Sequence, residues 1–265
     1  MRSSEIYYDL TQNNCNNLTV WGSSGYYTTL RWIVDNGKEH LFFKERHWDR
    51  LKAICRFKNG GSLDLTFLEK MISQQITVFR EQFPECFGGL ARISVLPDGY
   101  HFFVYESTVP EQPLGGLVIY KQRSKPEYKL LNDMELYNKL RELDRSKQEL
   151  VLLGENGDIL EGATSNILVH SKQGVHIVVD NALHGITQSL LYPAICEFGE
   201  EVIEMPYNIN QIADAIEIIS IGSGKEVSRI QSINGLHWSD NSDNELYLYL
   251  NKFYNKLKEN DMEKA

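Results

Sequence analysis

The stretch Gly157-Asp158-Ile159-Leu160-Glu161-Gly162-Ala163-Thr164-Ser165-Asn166 decides the reading of this chain. Asn156-Gly157 is a turn signal, Ile159 to Glu161 reads as a short strand, and Ser165 to His170 reads as the next one. An acid at a strand end, followed at once by glycine and then by Ser-Asn, places a carboxylate beside a tight turn. Downstream, His184-Gly185-Ile186-Thr187-Gln188 opens a helix expected from Thr187 to Phe198. Ile186 and Thr187 therefore present backbone N–H groups at the positive end of a helix dipole, where an anion is favoured. Upstream, Tyr128-Lys129-Leu130-Leu131-Asn132 leads into a helix expected from Leu130 to Leu143. Further back, His47-Trp48-Asp49-Arg50-Leu51 lies on a helix expected from Lys44 to Phe57.

Around these segments the pattern is mixed. Tyr26 to Val34 and Glu39 to Phe43 flank an Asn36-Gly37 turn and read as a hairpin. Leu65, Leu68, Ile72, Ile76 and Phe79 mark one stripe of a helix from Leu63 to Phe83, which Pro84 stops. Leu90 to Leu96 and Tyr100 to Tyr105 form a second hairpin. Pro110, Pro113, Gly115 and Gly116 make the segment from Ser107 to Gly116 the expected domain boundary. Strands follow at Leu117 to Tyr120, Glu149 to Leu153, Gly174 to Val179, Val202 to Met205 and Ile216 to Ile221, then the loop Gly222-Ser223-Gly224 and a last helix from Glu245 to Lys258. Strands and helices do not alternate regularly, so the expected class is α+β rather than a parallel α/β fold.

The chain has 265 residues, 42% of them hydrophobic and 24% charged, as expected of a globular protein of one or two domains. Its 27 Lys and Arg against 36 Asp and Glu give a net charge of −9. Nucleic acid and anionic membrane are excluded as main partners, since neutralising phosphates needs excess cations. No run approaches a membrane span, and MRSSEIYYDLTQNN has no apolar signal core. Cys15, Cys55, Cys86 and Cys196 form no CxxC pair, and the expectation is reduced thiols in the cytoplasm. No metal site is expected, because the seven histidines form no HxxxH or HExxH pair. GxGxxG, GxxxxGK[ST] and GxSxG are absent, and Gly222-Ser223-Gly224-Lys225 lacks the first glycine of a phosphate loop.

In their order and spacing the four segments resemble the fold-type IV pyridoxal-phosphate (PLP) enzymes, from about Gly25 to Gly235. That family includes branched-chain and D-amino-acid aminotransferases and aminodeoxychorismate lyase. The E-G-x-x-S-N run followed by G-I-T carries most of the likeness. The resemblance implies two domains: a small N-terminal α/β sandwich over residues 1–112, and a PLP-binding domain over 113–265 built on a barrel-like curved sheet with helices. It implies pyridoxal 5′-phosphate as cofactor, a small amino compound as substrate, and a homodimer. Lys129 corresponds to the lysine that holds the cofactor as a Schiff base and moves the substrate proton. Glu161 corresponds to the acid that keeps the cofactor's ring nitrogen protonated. Arg50, Ile186, Thr187 and Ser223 correspond to the phosphate's partners. His47 reads as a packing or capping residue.

Within the family, Gly25-Tyr26-Tyr27-Thr28-Thr29 has Thr28 where aminotransferases commonly carry an acid. The Y-T-T run and the short chain favour aminodeoxychorismate lyase, which converts 4-amino-4-deoxychorismate to 4-aminobenzoate and pyruvate for folate synthesis. A class IV aminotransferase acting on D- or branched-chain amino acids is the alternative. Tyr27, Thr28 and Arg92 are the expected substrate contacts; Lys121 and Arg123 are further cations near strand ends. Gln188 stands where the family usually has arginine, which removes a charge beside the phosphate turn.

Overall fold

The computed structural model describes residues 2–9, 14–16, 20–59, 63–236, 238–240 and 243–264. The chain is α+β and separates into two compact units. The first comprises Met1–Thr108 with Lys129–Met134 and Asn260–Ala265; the second comprises Val109–Tyr128 and Glu135–Glu259.

The first unit is a six-stranded sheet covered by two helices. Its elements are β1 (Ser3–Asp9), β2 (Asn14–Asn16), β3 (Tyr26–Asp35), β4 (Lys38–Leu41), α1 (Lys44–Asn59), α2 (Leu65–Gln82), β5 (Gly88–Val95) and β6 (Gly99–Glu106). All neighbouring strands run antiparallel, in the order β2-β1-β6-β5-β3-β4. The turn joining β3 to β4 has Asn36 at φ 49° and Gly37 at φ 75°. Two successive positive φ values match the twist of a tight hairpin, which is why Asn-Gly signals one. Leu30 and Trp32 alternate on the buried face of β3 and meet Trp48 and Leu51 of α1 and Leu68, Ile72, Ile76 and Phe79 of α2. The helical stripe read from the sequence is therefore the core face. Cys86 is a buried free thiol, whereas the side chains of Cys15 and Cys55 lie outside the described residues.

Asp64 starts α2 as N-cap, its Oδ1 accepting the Phe67 N–H at 2.9 Å. Asp64→Ala is expected to lower stability by about 1 kcal/mol, read as a lower urea midpoint with an unchanged slope.

The second unit holds a nine-stranded mixed sheet in the order β12-β11-β10-β14-β15-β7-β8-β9-β13. Its strands are β7 (Leu114–Tyr120), β8 (Gln148–Leu153), β9 (Asp158–Gly162), β10 (Asn166–Ser171), β11 (Gly174–Ile177), β12 (Val202–Ile203), β13 (Tyr207–Asn208), β14 (Ala215–Gly222) and β15 (Glu226–Ile233). The helices are α3 (Met134–Arg141), α4 (Ile186–Glu197) and α5 (Glu245–Glu263), with a 3-10 turn at Ile209–Asp214. Register breaks at His170/Ser171, Ile230/Ser232 and Leu152/Leu153 bend the strands, giving the curved sheet expected. One face packs Leu114, Val151, Ile167, Val169, Ile218 and Ile230 into a core; Leu136, Leu150 and Leu152 form another cluster. Among the described residues no helix is long and apolar enough to cross a membrane, and no group of His, Cys, Asp or Glu is arranged to hold a metal.

Three expectations differ from the structure. The helix expected from Leu130 begins at Met134, because backbone partners claim the residues before it: Tyr27 N–H donates to Lys129 O at 3.0 Å and Leu131 N–H to Gly25 O at 3.0 Å. Residues 226–233, for which the sequence predicts no strand, form β15, which lies between β14 and β7 and pairs antiparallel with the first and parallel with the second. The polar N-terminal stretch contributes β1, which pairs with the whole of β6.

Candidate active site

In the first unit the site residues gather at the start of β3 and the first turns of α1. Lys129 leaves an extended segment that bridges to Tyr26 through Leu130, so its direction is set by strand pairing and not by a helix. Its Nζ stands 5.6 Å from the centroid of the Tyr27 ring. Tyr27 and Thr28 project to opposite faces of β3. Thr28 shares the buried face with Leu30 and Trp32 and is itself fully buried; its Oγ1 lies 2.7 Å from His47 Nδ1. That hydroxyl therefore packs against α1.

His47 is held neutral. Burial pushes its pKa well below the usual histidine value, and the charges of Arg50 and Lys129 push it the same way. A neutral imidazole suits a hydrogen bond with a buried hydroxyl. Arg50 follows one turn later on α1. Burial lowers its pKa to about 10, opposed by Tyr27. An arriving anion would relieve that desolvation cost. Lys129 thus stands near the His47 imidazole and the Tyr27 ring face.

Arg92 lies on β5, opposite Thr29 and Phe103 in register. Its guanidinium carbon is 4.0 Å from the Trp21 ring centroid and 4.8 Å from that of Phe103, so aromatic faces flank the cation. Burial, with Arg92's charge as a second cause, lowers the His101 pKa to about 3 and keeps that ring neutral.

In the second unit three turns converge. Glu161, at the end of β9, is 3% exposed. Arg123 Nε lies 2.9 Å from its Oε1, and Arg123 Nη2 donates to Ala163 O at 2.7 Å. Beyond Gly162 the chain turns through Thr164 and Ser165, whose hydroxyls donate to Glu149 Oε2 at 2.8 and 3.0 Å. Ser220 extends the chain by donating to Ser165 Oγ at 2.8 Å. Asn166 reaches the second turn, its Nδ2 donating to Leu183 O at 2.6 Å. Gly222, which precedes Ser223, closes the third: a Cβ built on it would lie 3.2 Å from Thr164 O and 3.3 Å from Ser165 Cα.

Helix α4 begins beside these turns, with Gly185 as an N-cap that supplies no side-chain hydrogen bond. Thr187 is nevertheless buried. The first N–H groups of a helix have no partner within it, and a buried start without a side-chain cap is a cradle for an anion. Ile186, Thr187 and Ser223 thus form a donor set of the chemistry a phosphate ester needs, and Glu161 is an acid suited to a protonated ring nitrogen. The residues present fit PLP. Gly185→Ala tests the cradle. The added Cβ would fall 1.8 Å from Asn166 Oδ1, and Asn166 is tied to Leu183. We expect a stability loss of about 1–3 kcal/mol by urea unfolding, with weaker retention of PLP.

Reading the sequence missed Glu149, taken only as a strand start, and did not pair Arg123 with Glu161. Lys121, a further cation near a strand end, lies 2.9 Å from Glu135. Gln188 supplies a structural tie, its Nε2 donating to Val178 O at 3.1 Å within a buried setting.

Comparison with known proteins gives a consistent result. Among solved structures, a fold IV-transaminase from Curtobacterium pusillum superposes with a TM-score of 0.72 at 16% identity, covering 99% of this chain and 100% of that one. A branched-chain aminotransferase from Thermoproteus uzoniensis, solved with norvaline, has a TM-score of 0.72 at 16% identity, with 99% and 97% covered. A hypothetical aminotransferase from Mycobacterium tuberculosis in its PLP-bound form gives 0.72 at 13%, with 97% and 100% covered. No curated protein matches. Residues 25–233 match the family described as amino-transferase class IV, which spans all four motif segments. The chain belongs to the class IV aminotransferase family.

Proposed function

We propose that the protein is a PLP-dependent aminotransferase acting on a small primary amino acid. The observation that carries it is the buried Glu161 beside a cradle formed by the uncapped start of α4 and the Gly222-Ser223 turn, in a chain that also keeps Lys129 and Arg50. The cofactor, when bound, supplies an electron sink for the carbanion formed at the substrate's Cα. The chain's own residues do the rest. Arg50, Thr187, Ile186 and Ser223 hold the phosphate, and Glu161 holds the ring nitrogen's proton. Lys129 Nζ takes the proton from the substrate's Cα and delivers it to the cofactor's C4′ carbon, since handing it back to Cα would leave the amino group where it began. Tyr27 and Arg92 contact the substrate.

Class membership embraces both reactions; the transaminase structures that match nearly the whole chain support transfer over elimination. The lyase stays as a second reading on one observation, the Tyr27-Thr28-Thr29 run. The bond between Thr28 and His47 weakens it, because that hydroxyl is engaged inside the core face of β3. Feeding single D- or branched-chain amino acids with 2-oxoglutarate, and 4-amino-4-deoxychorismate alone, separates the two. Keto acid formed only with an acceptor present supports the aminotransferase. Pyruvate and 4-aminobenzoate formed without an acceptor overturn it.

A further inference from the structure

Arg123 lies in the segment between β7 and Lys129, thirty-eight positions before the acid it meets. Its side chain is 9% exposed and that of Glu161 is 3% exposed, so both charges are withdrawn from water. A carboxylate in that setting takes up a proton unless a cation compensates it. Arg123 is placed to compensate: Nε is 2.9 Å from Oε1, and Nη2 is fixed on Ala163 O two residues further along. The guanidinium thus meets the turn after Glu161 at two points, a close charge contact at Oε1 and a hydrogen bond to Ala163 O that fixes where the charge sits. A carboxylate offers about four acceptor positions, so contact at Oε1 does not exhaust it.

We propose that Arg123 is a positioning residue for the reaction, holding Glu161 ionised and in place so that Glu161 can keep a bound pyridine nitrogen protonated. This rests on the reading of Glu161 given above. Arg123 contacts neither the reacting carbon nor its proton; it acts through Glu161. Without the guanidinium, a buried Glu161 retains its own proton and offers the ring nitrogen an acid in place of an anion. The electron sink then weakens while Lys129 and the phosphate cradle stay intact.

The test uses the full-length protein reconstituted with PLP labelled with nitrogen-15 at the ring position. Two quantities are read, the dissociation constant for PLP and the nitrogen-15 shift of the ring. In the unaltered protein the shift is expected at the protonated-pyridine position. Arg123→Gln is expected to move it to the neutral-pyridine position and to weaken PLP binding about tenfold. Arg123→Lys keeps the charge and is expected to restore the protonated position with weaker binding, which also covers the case in which the glutamine variant folds poorly. A protonated ring in Arg123→Gln at unchanged affinity overturns the proposal for Arg123 and leaves Glu161's role standing. An unprotonated ring in the unaltered protein overturns Glu161's role and this inference with it.

Discussion

Replacing Lys129 by alanine is expected to lower turnover on the order of 10⁴-fold, with folding unchanged. The contacts that fix this segment belong to the backbone: Tyr27 N–H to Lys129 O, Leu131 N–H to Gly25 O, and Gly22 N–H to Leu131 O at 2.9 Å. Alanine keeps all of them and loses only the amine. Arg50 stays on α1 and the Thr28–His47 bond is untouched. The variant should therefore still bind PLP through the phosphate partners, with an unchanged urea midpoint. Steady-state rates on the best amino donor, beside an unfolding curve, check both halves. A variant within tenfold of the unaltered rate would remove Lys129 from the chemistry.

Glu161→Gln is expected to lower turnover by about 10²–10³-fold. Glutamine matches the acid in size and keeps a hydrogen-bonding oxygen, but cannot carry the negative charge. The same change leaves the Arg123 guanidinium buried beside a neutral amide. Breaking a buried ion pair by removing one partner costs about 3–5 kcal/mol, so this variant should also unfold at lower urea. The two effects separate in the assay, because saturating PLP offsets a binding defect but does not restore a lost electron sink. Turnover that recovers fully at high PLP would make Glu161 a structural residue only.

Local signals carried much of the fold into the sequence. The β3–β4 hairpin was legible because Asn36-Gly37 needs two positive φ angles that few other pairs accept. Helix α2 was legible from its stripe, and every residue of that stripe except Leu65 is buried. What escaped depends on distant partners. Strand β15 has a mixed pattern, with Arg229 and Gln231 among its apolar residues, and becomes a strand only between β14 and β7. Strand β1 reads as polar until β6 pairs along it.

The same division runs through the candidate site. Lys129, Glu161, Ile186 and Thr187 stand in short runs whose residue types reveal their chemistry. Lys129 was expected just ahead of a helix, but its carbonyl and that of Gly25 enter strand-like bonds that delay the helix to Met134. The Arg123–Glu161 pair and the Glu149 network join residues far apart in sequence, and no spacing rule predicts them. Asn166 shows the two kinds of information meeting. Its motif is local, yet its bond to Leu183 explains why E-G-x-x-S-N and G-I-T occur together: one side chain ties the turn after Glu161 to the start of α4.

Borohydride reduction of PLP-reconstituted protein, followed by peptide mapping, tests the central claim most directly. The account predicts a yellow protein that bleaches on reduction and carries one pyridoxyl label, on the peptide containing Lys129, with no label in Lys129→Ala. A label on another lysine, or a protein that cannot be loaded with PLP, would contradict it.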